Sequence, residues 1–186
     1  DTARELDGLG FGSLAHHVLE QFARTGTLHS TRDEEIRQQL DELLDVAARQ
    51  QFGADVLPAV RIQVEQLRAR LHAFAAWHAG WIGEGWRVIG VECSPPGQGV
   101  PFMVDGEPIY LSGRIDRVDY HPDLRQIAVF DYKTGDQGDV PDKTHRAGRK
   151  NDRRWVDLQL PLYRHLLPHV SGLDTASLPI SGDQES

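Results

Sequence analysis

The chain has 186 residues, enough to bury one sizeable α/β core and too few for two generous domains. Hydrophobic residues make up 39% and charged residues 26%, the composition of a folded globular protein, and a single cysteine, Cys93, excludes a disulfide framework or a metal centre built from several thiolates of this chain. A formal net charge of −8, with a pI near 5.5, argues against a surface that is basic throughout, so any contact with a polyanion must come from local clusters of positive charge.

No apolar run approaches the roughly 20 residues of a membrane helix, and no signal-peptide pattern opens the chain. The expected location is a reducing, bacterial-type cytoplasm. The sequence starts at Asp1 without an initiator Met and reads as a piece of a longer protein.

The glycine-rich stretch 8–12 (GLGFG) lacks the spacing of a phosphate-binding loop. Ser13 is placed to cap a first helix, with Leu14, Val18 and Phe22 as its apolar stripe and Gly26 as its stop. A second helix is expected over 31–51, where Thr31 and Glu34 have capping-box spacing, Ile36, Leu40, Leu43 and Leu44 point inward, and Gly53 ends the run. A third spans 58–81, with Val60, Val64, Leu67, Leu71 and Phe74 on one face and Arg61, Glu65 and Arg68 turned to water.

At Gly83 the pattern changes. Residues 86–92 (WRVIGVE) predict a strand, 94–106 a loop rich in proline and glycine, and 109–120 and 126–133 two further strands joined as a hairpin by a turn at 121–125. Residues 134–152 have no apolar periodicity and predict a mobile loop. A last helix is expected over 154–167, where Pro161 either kinks it or delays its start. This order predicts an α/β fold with a small central mixed sheet flanked by helices. The chain is read as one domain: 1–82 mainly helical, 83–168 carrying sheet, site and closing helix, and 169–186 a tail.

In 127–133 side chains alternate, so Ile127, Val129, Asp131 and Lys133 share a face that begins apolar and ends in a carboxylate beside an ammonium. Asp116 lies among apolar residues on the proposed partner strand, and the hairpin would bring it near Asp131. Two such carboxylates repel unless a proton or cation joins them, and an oxygen-rich pair suits Mg2+ or Mn2+. The Tyr132 carbonyl is a further candidate ligand. A surface pairing of Asp116 with Arg114 or Arg117 is the plainer alternative.

On the first helix His16 and Glu20 are four apart, and His16 or the adjacent His17 could complete a metal shell. Gln159 and Tyr163 share a face of the last helix and could hold a phosphate or a base edge. Residues 143–154 gather Lys143, Arg146, Arg149, Lys150, Arg153 and Arg154 against one acid, Asp152, beside His145 and Trp155, a cluster that could grip a polyanion backbone or be no more than a solvated loop.

Four segments, 12–20 (GSLAHHVLE), 113–119 (GRIDRVD), 131–135 (DYKTG) and 159–163 (QLPLY), occur in the order of the PD-(D/E)XK nuclease superfamily, and the chain resembles its RecB-type branch. The resemblance implies a restriction-endonuclease-like core with an N-terminal helical part. It selects His16 over His17 and implies that His16, Asp116, Asp131 and the Tyr132 carbonyl bind the metal, with Asp116, Asp131 and Lys133 as the catalytic set. Lys133 would orient the attacking water or steady charge on the phosphate; Gln159 and Tyr163 would support the site and contact the strand; Glu92 resembles an acidic position that helps with metal in some relatives. The four-cysteine iron–sulfur cluster of many RecB-type relatives is expected to be absent. The implied function is metal-dependent DNA hydrolysis, by an exonuclease or the nuclease module of a repair helicase–nuclease, with DNA and a helicase domain or subunit as partners and no membrane. The alternative is a catalytically inactive nuclease fold that binds DNA or braces a helicase.

Overall fold

The computed structural model describes residues 8–54, 57–132, 146–147, 154–155, 159–171 and 173, with backbone alone at 8–9, 146–147, 154–155 and 159–161. In chain order the elements are α1 (Gly8–Phe22), a 3-10 turn (Gly26–His29), α2 (Asp33–Phe52), α3 (Pro58–Gly83), β1 (Arg87–Cys93), β2 (Val100–Val104), β3 (Glu107–Leu111), β4 (Ile115–His121), β5 (Gln126–Phe130), β6 (Arg146–Ala147), β7 (Arg154–Trp155), α4 (Gln159–Leu166) and a second 3-10 turn (Leu167–His169). The chain gathers into two compact units, one of Asp1–Val88, Tyr120–Gln126 and Tyr132–Gly135, the other of Ile89–Asp119, Ile127–Asp131 and Asp136–Ser186. No helix among the described residues is long and apolar enough to cross a membrane.

The first unit has an aliphatic core shared by three helices. Leu14, Ala15, Val18 and Phe22 of α1 bury against Ile36, Leu40 and Leu44 of α2 and Val60, Val64, Leu67, Leu71 and Ala75 of α3. The steps of three and four are those of helical stripes, and each fully buried aliphatic side chain contributes about 1.5–3 kcal/mol. His78 is the polar exception: it is fully buried, and its Nε2–H donates to the Leu28 carbonyl at 2.8 Å, which ties α3 to the first 3-10 turn. On the outer side Arg68 holds Asp41 at 2.8 Å and Asp45 at 2.6 Å, and His72 reaches Asp41 at 2.9 Å.

Two helix starts differ from expectation. α1 begins at Gly8, so GLGFG is helical and Ser13 is exposed within the helix rather than its cap. Phe11 packs against the core cluster, and that burial offsets the low helix propensity of the glycines. α2 begins at Asp33, and Ser30 organises its start instead of Thr31: Ser30 Oγ accepts the Arg32 N–H at 3.1 Å and donates to Glu35 at 2.7 Å. Asp33, Glu34 and Glu35 fill the first turn, where the helix dipole favours acids. Gly53 stops α2 at a φ of 77°, donating its N–H to the Arg49 carbonyl at 2.9 Å.

The three-stranded sheet, most of whose residues fall in the second unit, has the order β1-β4-β5. All seven residues of the central strand β4 are buried. Only four residues separate β4 from its neighbour β5, so the two form an antiparallel hairpin; a parallel pair would need a long crossover. The run 109–120, expected as one strand, is two, because the chain breaks at 112–114. β3 there turns away to pair with β2, which lies in the stretch expected as loop; their antiparallel register runs from Val100↔Leu111 to Val104↔Glu107. Gly113 lies in the break, where an added Cβ would stand 3.1 Å from the Leu166 side chain and 3.6 Å from that of Leu162, so a larger residue here would require Leu166 to shift by a few tenths of an ångström.

The closing helix is shorter than expected. Arg154 and Trp155 form β7, paired antiparallel with β6 (Arg146↔Trp155, Ala147↔Arg154), within a region read as loop and helix. α4 starts at Gln159, so Pro161 falls in its first turn, where the missing N–H forfeits no intrahelical bond.

Candidate metal centre

In the first unit, α1 leaves His16 half-buried at the edge of its apolar stripe and His17 exposed. His16 Nε2 lies 3.0 Å from the Tyr132 carbonyl oxygen, across 116 residues of sequence. As an isolated pair the imidazole N–H donates and the carbonyl accepts. The same separation suits two adjacent ligands of an octahedral Mg2+ or Mn2+, because bonds of about 2.1 Å at right angles place their donor atoms about 3 Å apart. Ligation would require Nε2 to release its proton and the ring to carry it on Nδ1. Glu20, on the same helix, is engaged by Arg24 at 2.5 Å.

In the second unit, Glu92 near the end of β1 and Asp116 near the start of β4 each offer a carboxylate oxygen, and these lie within 4.8 Å of one another. Asp116 is 7% exposed. Glu92 has a φ of 54°, a left-handed conformation uncommon for a residue with a side chain. Arg114 forms an ion pair with Glu92, but the guanidinium is more than half exposed, and exposed pairs hold weakly. Two acids this close need added positive charge, and their oxygens fit a hard divalent cation.

Alternation along β4 puts Asp116, Val118 and Tyr120 on one side and Ile115, Arg117, Asp119 and His121 on the other. Arg117 clasps Asp119 through two bonds, at 2.7 and 2.5 Å, and lies 5.3 Å from the centre of the Phe130 ring. Asp131 directly follows β5. Since β4 and β5 are antiparallel, Asp116 and Asp131 belong to the same end of the sheet. The buried Tyr163 of α4 donates its hydroxyl to Asp131 Oδ1 at 3.1 Å, which fixes that carboxylate's orientation. Burial pushes the Cys93 thiol above its usual range, and the charge of Glu92 adds to the shift.

Other candidates are placed only partly. Lys133, Lys143, Arg149, Lys150 and Arg153 lie outside the described residues. Arg146 and Arg154 belong to the β6–β7 ladder and Gln159 opens α4, each as backbone. The Arg114–Glu92 and Arg117–Asp119 pairs were not anticipated, although the i,i+2 spacing in RVD gave the signal for the second. Over residues 2–181 the sequence matches the family described as the PD-(D/E)XK nuclease superfamily. No curated protein matches the chain.

Proposed function

The chain belongs to the PD-(D/E)XK nuclease superfamily, and from that premise we propose that it is a RecB-type, divalent-metal-dependent deoxyribonuclease. It hydrolyses phosphodiester bonds as an exonuclease or as the nuclease module of a DNA repair helicase–nuclease, in the cytoplasm, without an iron–sulfur cluster. His16, Asp116, Asp131 and the Tyr132 carbonyl hold the Mg2+ or Mn2+, and Glu92 contributes a further oxygen. The observation that carries this reading is the 3.0 Å approach of His16 Nε2 to the Tyr132 carbonyl, supported by the Glu92 and Asp116 carboxylates within 4.8 Å of each other.

When bound, the ion supplies a Lewis acid for attack of water on the phosphodiester. The chain's own groups do the rest. The Lys133 ammonium orients the water or offsets charge building on the phosphate. Tyr163 keeps Asp131 aimed by its hydroxyl, and Gln159 supports the same end of the sheet. Arg146, Arg149, Lys150, Arg153 and Arg154 draw in the DNA backbone against an overall charge of −8.

The test is cleavage of end-labelled DNA, single- and double-stranded, with Mg2+, Mn2+ or a chelator. Products should form only with metal, and Asp116→Asn or Lys133→Ala should slow cutting by about a hundredfold or more. Metal-dependent cutting that survives both substitutions would contradict the assignment.

A further inference from the structure

Glu92, near the end of β1, keeps only 16% of its side chain in solvent, so its carboxylate has lost most of its water, and the Arg114 guanidinium pairs with it through Nε. Asp116, two residues on from Arg114 and buried, brings a second carboxylate within 4.8 Å of the first. A divalent ion held by these two acids must therefore compete with Arg114 for Glu92. An ion bound about 2.1 Å from a Glu92 oxygen cancels the charge that holds the guanidinium and repels it in turn.

Arg114 is placed to give way. It lies in the break between β3 and β4 rather than inside a strand, and 56% of its side chain is in water, so its head can leave Glu92 without opening a buried cavity. Arg117, further along, has no such freedom: it is buried within β4 and clasps Asp119 through two bonds. Once released, the Arg114 head stays tethered beside Asp116, where the phosphate of a bound strand lies when one of its oxygens reaches the ion. A guanidinium suits that phosphate well, because its donors form a planar fork that matches two phosphate oxygens.

We propose that Arg114 is an exchangeable counter-cation of the metal centre: it pairs with Glu92 in the metal-free chain, yields that carboxylate to the incoming ion, and then binds a phosphate of the DNA strand. The exchange needs only that an ion binds; the phosphate as the second ligand rests on the nuclease reading. The device lowers affinity for metal when no strand is present. It also makes ion and strand favour each other's binding, since each takes one partner of the Arg114–Glu92 pair.

The experiment uses the full chain with Arg114→Gln, Glu92→Gln and the double variant, each checked for folding by circular dichroism. In calorimetric titration with Mn2+, Arg114→Gln should bind about two- to fivefold more tightly than wild type, the strength of a partly exposed ion pair. In the Glu92→Gln background the same substitution should change nothing. Equal affinity of Arg114→Gln and wild type would overturn the proposal. So would a gain that persists without Glu92, the mark of a general effect of one positive charge fewer. Binding of a labelled single-stranded oligonucleotide is then followed by anisotropy against salt, in Ca2+ and in chelator. Arg114→Gln should lower the salt slope by about 0.7, one phosphate contact, in Ca2+ and leave it unchanged in chelator. Equal slopes in Ca2+, or the same drop in chelator, would overturn the proposal as well. Cleavage in Mn2+ separates the two readings: exchange at Glu92 without cutting removes the nuclease assignment alone, and cutting with a Mn2+ affinity indifferent to Arg114 removes the counter-cation alone.

Discussion

Arg117 and Asp119 show how β4 carries charge through a buried strand. At 1% and 0% side-chain exposure, neither keeps contact with water, and the two-bond clasp together with the Phe130 ring replaces it. Removing one partner strips a buried charge of this two-bond clasp. Asp119→Ala should therefore cost about 3–5 kcal/mol in urea unfolding, whereas replacing both residues with apolar ones of similar volume should recover most of the loss. A double variant no more stable than Asp119→Ala would show that the pair is not coupled. The strand's other acid, Asp116, shares the opposite face with Val118 and Tyr120, so one strand holds a self-neutralised pair on one side and a candidate ligand on the other.

Among the elements, the α2–α3 contact carries a charged seam whose strength depends on pH. Burial raises the Asp41 pKa, but hydrogen bonds from Arg68 and His72 outweigh that and hold the carboxyl below its ordinary value of 3.8. A carboxylate depressed in the folded state adds stability that is full above the unfolded value and lost as pH falls through the folded one. Asp41→Asn should therefore cost about 0.5–1 kcal/mol at neutral pH and flatten the loss of stability below about pH 4. Equal acid profiles for variant and wild type would remove this role.

How much could be read from the sequence follows the same physics. The stripes Leu14–Val18–Phe22 and Val60–Val64–Leu67–Leu71 were legible because burial repeats with the helical period. The β4–β5 hairpin was legible from its short polar turn. β2 was hidden by its proline and by flanking Gly97 and Gly99. Gly99, at a φ of 109° and pressed against the Leu111 carbonyl, serves the hairpin it seemed to argue against. The start of α4 was obscured because Arg154 and Trp155 pair with β6, and pairing between short segments leaves no local period. The Arg114–Glu92 pair was missed because its members come from β1 and from the break before β4, far apart in sequence, so only folding brings them together.

For the whole molecule, the family match spans residues 2–181, and the pairings His16–Tyr132, Glu92–Asp116 and Tyr163–Asp131 each involve a residue of the four motifs, Glu92 alone among the six lying outside them. Apart from Glu92–Asp116, whose oxygens suit a cation directly, each pairing is also a stable contact in its own right. The account therefore stands or falls on whether the chain takes up an ion there. The direct measurement is calorimetric titration of Mn2+ into the metal-free chain, with Asp116→Asn and Glu92→Gln beside it. The account predicts saturable binding by wild type, loss of the site in Asp116→Asn and weaker binding in Glu92→Gln. Identical isotherms for all three would contradict it.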